Sequence, residues 1–471
     1  MKNNFLYLAI TLLLLLCTPL WAKRDSLVTS PASLLSSYIQ IESVSGEENE
    51  AAYFISKVCR DAGLIVEYIS DHPGAVNFCA SLYPLSERRP NILFHTHIDV
   101  VPAGDFEGWS YPPFGGVVDK GRVWGRGSMD NKGLGIIEFF ALKSFVERAL
   151  YEDLPYNVTI LFVSGEETGG ATGSAIVVEN FFETLNPYLL IGEGGAGTTE
   201  LLGSITKGKP LFGISIAEKE SLWLKLSWES SSAGHASIAD DSNAIATMVR
   251  DLNTLINSKR PIIITDESAL MMRSLGKVIG GVKGRLMQRP NSPIFKRALN
   301  FLAKKNSIVN DLFTNKITLS SFGANSTAIN QSSAYECAYL DTRALPGVLT
   351  EDIVDFIAHS IKNPDIKIEP LSEIQHSKGT VPEYFFNLMA SAIKEEFEGA
   401  SVIPMLLPAS TDNNFYRSKG IPVYGINPML VTEDQLNSIH NFDEFIKIED
   451  LESGIRVFKR FIESVQRGAT P

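Results

Sequence analysis

Five short motifs in this chain place histidines or carboxylates where apolar runs end. The first is Phe94-His-Thr-His-Ile-Asp-Val-Val-Pro102, in which His95, His97 and Asp99 stand two apart. Residues two apart in extended backbone share a face, so these three side chains converge. Imidazole and carboxylate are zinc ligands, and a ligating histidine usually gives its other ring N–H to a carboxylate, a role open to Asp99. Either histidine is equally readable as a hydrogen-bonded structural residue at a polar strand end. The second motif is Val123-Trp-Gly-Arg-Gly-Ser-Met-Asp-Asn-Lys-Gly133. Its glycines permit tight turns and close approach of backbone to a ligand, while Asp130 reads alternatively as the N-cap of the following helix. The third, Phe162-Val-Ser-Gly-Glu-Glu-Thr-Gly169, puts two carboxylates directly after an apolar strand. Adjacent extended residues point to opposite sides, so one glutamate can ligate a metal while the other faces a water as general base. Two surface glutamates are the alternative. Leu189-Leu-Ile-Gly-Glu-Gly-Gly195 and Ser438-Ile-His-Asn-Phe-Asp-Glu444 add Glu193 and His440.

Each motif alone is weak, and the argument rests on the set. Histidine, aspartate, a glutamate pair, glutamate and histidine stand mostly at the carboxyl ends of strands, where α/β sheets gather their ligands. Together they supply enough donors for two metal ions. The elements that must position them alternate helical periodicity with short apolar runs, as α/β layering requires. Glu47–Gly63 predicts a helix, and Asn91–Phe94 and Asn157–Val163 predict strands. A second, smaller α/β unit follows from the alternating run Leu211–Trp228, a helix over Ala239–Ile256, a strand over Tyr335–Arg343 and a helix over Glu351–Ile361. Lys207-Gly-Lys-Pro210 and Pro364 mark its edges. Ser258–Ser320 is basic and helix-leaning, an elaboration of that unit.

With 471 residues, two domains are expected. Hydrophobic residues are 44% and charged residues 20%, which excludes disordered and fibrous classes. A formal net charge of −12 argues against nucleic acid as a partner. Lys2, the apolar run Phe5–Cys17 and Thr18-Pro-Leu-Trp-Ala22 read as a signal peptide cleaved after Ala22, with an uncleaved anchor as the alternative. The expectation is therefore an exported, periplasmic or secreted protein with no stable membrane insertion. Cleavage leaves Cys59, Cys79 and Cys337, which are read as buried thiols and allow at most one internal disulfide.

In order and type, the five motifs resemble the co-catalytic zinc metallopeptidases of family M20, which include carboxypeptidases, aminoacylases and deacylases. The resemblance implies an α/β fold: a zinc-peptidase-type catalytic domain with a central mixed sheet flanked by helices, plus an inserted smaller α/β, ferredoxin-like lid or dimerisation domain. The spans expected are 1–22 for the signal peptide, 30–208 and 365–467 for the two parts of the catalytic domain, and 212–364 for the insertion. The resemblance also implies His97, with Asp99 behind it, and Glu193 at one metal, Glu167 and His440 at the other, and Asp130 bridging both. Glu166 is then the general base, His95 a structural neighbour, and Asp130-Asn131 a cis peptide. Two zinc ions are expected, with cobalt or manganese as alternatives.

In the insertion, Ser232-Ala-Gly-His-Ala-Ser237 resembles the family segment whose histidine holds the scissile carbonyl oxygen, which assigns that role to His235 and allows a homodimer. Arg343 of Asp341-Thr-Arg-Ala-Leu-Pro-Gly347 matches the arginine that takes the substrate carboxylate, an ion pair with Asp341 being its structural alternative. Asn330 keeps its place, but Asn330-Gln-Ser-Ser333 departs from the family's Asn-Val-Ile-Pro, and Asn414 stands where an arginine is usual, with Arg417 three residues on. The long insertion and the Trp124-Gly-Arg-Gly wording are most similar to the carboxypeptidase S and N-fatty-acyl amino acid hydrolase branch. A small-peptide carboxypeptidase or dipeptidase is thus the leading expectation. An N-acyl amino acid amidohydrolase, an enzyme of other amides such as carbamoyl compounds, and a non-catalytic extracytoplasmic peptide binder on the same fold are the alternatives.

Overall fold

The computed structural model describes residues 30–72, 75–200, 206–231, 234–235, 243–324, 330–375 and 377–468; the expected signal peptide lies outside them. Twelve strands form the two principal sheets. They are β1 (Ile65–His72), β2 (Ala75–Ser81), β3 (Asn91–His97), β4 (Asn157–Val163), β5 (Pro187–Thr198), β6 (Leu211–Glu218), β7 (Glu220–Glu229), β8 (Lys316–Ala324), β9 (Tyr335–Ala344), β10 (Lys367–Pro370), β11 (Ser401–Leu407) and β12 (Val423–Leu430).

The large sheet is mixed, in the order β1-β2-β4-β3-β5-β12-β6-β11. Its centre, β4-β3-β5-β12, is parallel. All seven residues of β3 and of β4 are buried, which explains the unbroken apolar runs: parallel strands covered on both faces have no solvent side to alternate with. Period two survives in the direction of burial. Ile92 and Phe94 of β3 and Val158, Ile160 and Phe162 of β4 pack into one layer, whereas Leu93, Leu161 and Val163 face the other. The first layer is closed by the helix Lys132–Lys143 and by Ile448–Gly468, whose Leu451, Val457, Phe458, Phe461, Ile462 and Val465 recur at helical spacing.

The small sheet is antiparallel, in the order β8-β9-β7-β10. β9 alternates half-buried and buried residues without a break, the mark of a sheet with one face on a core. The helices Ala244–Ile256 and Thr350–Ile361 cover that face, with Leu222, Leu224, Leu226, Leu340 and Ile357 between.

The two sheets exchange the chain at places the sequence pattern does not mark. Leu211–Trp228 is two strands: β6 is buried throughout and pairs in the large sheet, and the chain crosses at Lys219 before β7 begins the small one. At the far end, β10 still pairs with β7, so the small sheet continues past Pro364 to Pro370. Apolar content is continuous across Lys219, and only the change from full burial to alternation reports the crossing. Cys59 and Cys79 are buried free thiols, and Cys337 is half-buried and also free.

Candidate metal centre

The side chains from the five motifs meet at the carboxyl ends of β3 and β4, beside the middle of β5, where Glu193 lies within the strand. His97 closes β3. Its Nδ1 lies 2.9 Å from the Asp99 backbone oxygen and 3.5 Å from Asp99 Oδ1, which turns Nε2 toward Asp130 Oδ1 at 3.0 Å and Glu193 Oε2 at 3.8 Å. His95, one strand period back, is buried, packs edge-on to Tyr416 and lies 2.9 Å from Ser174 Oγ. Burial, then the neighbouring His97, depresses its pKa to about 3, so this ring is neutral and outside the donor cluster.

Asp99 serves two elements at once. Its Oδ2 accepts from Ser45 Oγ at 2.7 Å, and its two oxygens accept the backbone N–H groups of Glu166 and Glu167 at 3.1 and 3.2 Å. The residue behind His97 therefore also fixes the turn carrying both glutamates. That turn is a short 3-10 helix, Glu166–Thr168, between Gly165 at φ 70° and Gly169 at φ 94°. The glutamates sit on a tight helical turn, which corrects the extended geometry inferred from sequence. A Cβ on Gly165 would also meet Thr172 Oγ1 at 2.2 Å.

Asp130 lies in a loop organised by Glu444. This buried carboxylate accepts from Arg126 Nη1 at 2.6 Å and from the backbone N–H groups of Gly127, Met129 and Asp130 at 2.9–3.1 Å. The Asp130–Asn131 peptide is cis. Asn131 donates to Glu193 Oε2 at 2.6 Å, and Lys132 Nζ reaches the carbonyls of Tyr38 and Ile41, anchoring the start of its helix. His440, at φ 59° after the helix Glu433–Ser438, brings Nε2 to 3.1 Å from Asp130 Oδ2 and 3.1 Å from Glu167 Oε1.

Three overlapping donor groups result: His97, Asp130 and Glu193; His97, Glu166 and Glu167; and Asp130, Glu167 and His440, each with donor atoms within 4.8 Å of one another. Asp130 turns Oδ1 toward one imidazole and Oδ2 toward the other, the arrangement a carboxylate bridging two cations requires. Electrostatics point the same way. Burial, then the Glu193 charge, pushes Glu166 well above the ordinary carboxylate range, and burial followed by Asp130 takes Glu193 to about 8. Burial opposes ionisation of Asp130 as well, but hydrogen bonds from His440 and His97 hold it below the usual carboxylate value. Hydrogen bonds to Asp130 and then Glu167 raise His440 to about 10. Imidazoles and crowded carboxylates fit divalent cations of the zinc class.

A cavity of about 920 Å³ opens from this cluster between the sheets. Its walls carry Glu166, Glu193 and His440 on one side and Trp223, Lys316 and Arg343 on the other. Arg343 is held by Asp341 at 3.2 Å and Ser221 at 2.6 Å, so the ion pair weighed as its alternative exists, and the guanidinium still faces the cavity. Asn414 also lines it. Arg417, buried behind, bonds to Asn414 Oδ1 at 3.0 Å and Glu218 at 3.1 Å and is not itself in the wall. His235 is exposed on a separate two-stranded ladder, where it pairs with Gln331, and Asn330 is the exposed turn residue just before that strand; neither lines the cavity of this chain. Roles for Glu444, Arg126 and Ser45, and the contact of Asn131 with Glu193, do not follow from the sequence. Each acts through a partner distant in the chain, and local spacing carries no such signal.

The family model described as peptidase family M20/M25/M40 matches residues 93–464. A probable carboxypeptidase S-like 2 of Dictyostelium discoideum is 27% identical over 391 residues, covering 81% of this chain and 73% of that protein. The human N-fatty-acyl-amino acid synthase/hydrolase PM20D1 is 20% identical, covering 80% of this chain and 75% of that one. Among solved structures, the M20 family metallo-carboxypeptidase Sso-CP2 from Sulfolobus solfataricus matches with a TM-score of 0.68 at 19% identity, over 93% of this chain and 99% of that one. The dipeptidase Dug1p of Saccharomyces cerevisiae matches at 0.64 and 16%, over 96% and 98%.

Proposed function

Because the chain belongs to peptidase family M20/M25/M40, we propose that it cleaves the amide bond of small peptides as a carboxypeptidase or dipeptidase with two zinc ions. Its standing as a metal-dependent amide hydrolase follows from the family match, and the finer reading is carried by one observation: Asp130 splits its two oxygens between His97 and His440. In that reading His97, Asp130 and Glu193 hold one ion, and Asp130, Glu167 and His440 hold the other. When bound, the ions supply Lewis acidity toward the carbonyl and lower the pKa of a water.

The chain's own residues do the remainder. Asp99 fixes the Glu166 turn through two backbone bonds, so the Glu166 carboxylate faces the cavity beside the ligands. Glu166 accepts a proton from the attacking water and returns it to the departing amine. Arg343, pre-aimed by Asp341 and Ser221, receives the substrate carboxylate in the cavity between the sheets. His235 and Asn330 complete the site from a second copy, a role supported by the exposure of both and their absence from the walls of this chain's own cavity. We propose export with cleavage after Ala22, checked by the N-terminal sequence of the mature protein.

Release of an amino acid from an N-acyl conjugate is the second reading, favoured by the relatives of the fatty-acyl hydrolase type. Purified, metal-loaded protein is to be incubated with dipeptides and N-acyl amino acids, with and without a chelator, and the products weighed. Chelator-sensitive release of amino acids from dipeptides is expected. Cleavage confined to acyl conjugates selects the second reading, and turnover unaffected by chelation contradicts both.

A further inference from the structure

The chain is acidic overall, yet Ser268–Asn310 carries nine lysines and arginines and no aspartate or glutamate. These residues form most of a helical layer: Asp266–Ile279, Gly281–Met287, Pro293–Ala303 and Ser307–Phe313. Its inner side is ordinary packing. Met271, Phe295, Leu299 and Phe313 make a small core that reaches Met405 of the edge strand β11, and the first helix lies along that strand.

The outer side has a different composition. In Pro293–Ala303, Phe295, Leu299 and Ala303 point inward, while Ile294 and Phe301, seven residues apart and hence on one line of the helix, are 71% and 58% exposed. Arg297 stands on the same outward face, and Lys304 and Lys305 follow directly; Lys305 Nζ lies 4.5 Å from the Phe301 ring centroid. The adjoining helices add exposed Val282 at 76% and Ile308 at 59%, with Lys283, Arg285 and Arg289 exposed alongside. Asp311, the nearest acid in sequence, pairs with Lys316. A solvated helix face has no use for protruding isoleucine and phenylalanine. A surface made only for polyanions needs cations alone. Apolar side chains flanked by cations match a bilayer whose headgroups are anionic and whose boundary accepts shallow apolar insertion.

We propose that the outer face of Pro293–Ala303, with Gly281–Met287 and Ser307–Phe313 beside it, docks the protein peripherally on an anionic lipid surface. No helix among the described residues is long and apolar enough to cross a membrane, so the contact is a lateral one. The cation-rich stretch is the local counter-charge that lets a chain of net charge −12 approach such a surface.

The test is co-sedimentation of the full 471-residue chain with phosphatidylcholine vesicles, and with vesicles containing roughly a third phosphatidylglycerol. Tighter binding to the anionic vesicles is expected, falling as salt approaches about 0.5 M. An Arg297→Ser/Lys304→Ser protein should lose roughly fivefold in affinity per cation removed. An Ile294→Ser/Phe301→Ser protein should also bind more weakly while hydrolysing soluble substrate at the wild-type rate, which shows it folded. The N-terminal apolar segment is common to every arm, so differences report the helix. Equal binding to both vesicle types, or undiminished binding after loss of Ile294 and Phe301, overturns the proposal. So does a dimer that the same substitutions dissociate, which would give this face to a second copy.

Discussion

Asp130 belongs to two of the three donor groups, and each imidazole faces a different one of its oxygens. Asp130→Ala is expected to lose both metals by elemental analysis, and retention of two would refute the bridging role. Glu138 makes a separate prediction. It is buried in the helix Lys132–Lys143, neither carboxylate oxygen has a hydrogen-bond partner, and burial, then Glu193, raises its pKa well above the ordinary value. A raised acid pKa in the folded state gives stability that is present below the unfolded value and lost as pH rises toward the folded one. Glu138→Gln removes that loss, so its melting temperature relative to wild type should climb as pH rises above the ordinary glutamate range. A difference constant with pH would show that Glu138 is ionised in the fold. At this scale the sequence was most legible: the donor types are few, and His97, Asp130, Glu167, Glu193 and His440 all lie within the donor cluster. Glu444 was not legible, because its partner Arg126 is 318 residues away.

Among elements, the loop of Asp130 and the turn of Glu166 and Glu167 are each held by one buried carboxylate. Glu444 compensates Arg126 and three backbone N–H groups, and removing it leaves a buried guanidinium uncompensated. Glu444→Ala should therefore cost about 3–5 kcal/mol in denaturant unfolding and weaken metal binding, although Glu444 touches no metal position. A loss under about 1 kcal/mol would mean water replaces the carboxylate. Periodicity located β3, β4 and β9 and the run that holds β6 and β7. It could not divide Leu211–Trp228, because a strand buried on both faces and a half-buried strand are equally apolar there. Nor could it show that Glu166 and Glu167 lie on a 3-10 turn, since that geometry is imposed by Gly165, Gly169 and the distant Asp99.

For the molecule as a whole, the cavity between the sheets gathers the metal cluster and Arg343 but not His235 or Asn330. If a second copy supplies these, the inactive variants His235→Ala and Glu166→Ala should regain activity when mixed, because a heterodimer contains one site free of both changes. Absence of rescue under conditions where subunits exchange would place His235 outside the reaction. The most direct measurement concerns Glu166 itself. The metal content and turnover of Glu166→Gln should show both ions retained and kcat reduced by about 10²–10⁴. Turnover near that of the wild type, with both metals bound, would contradict the account.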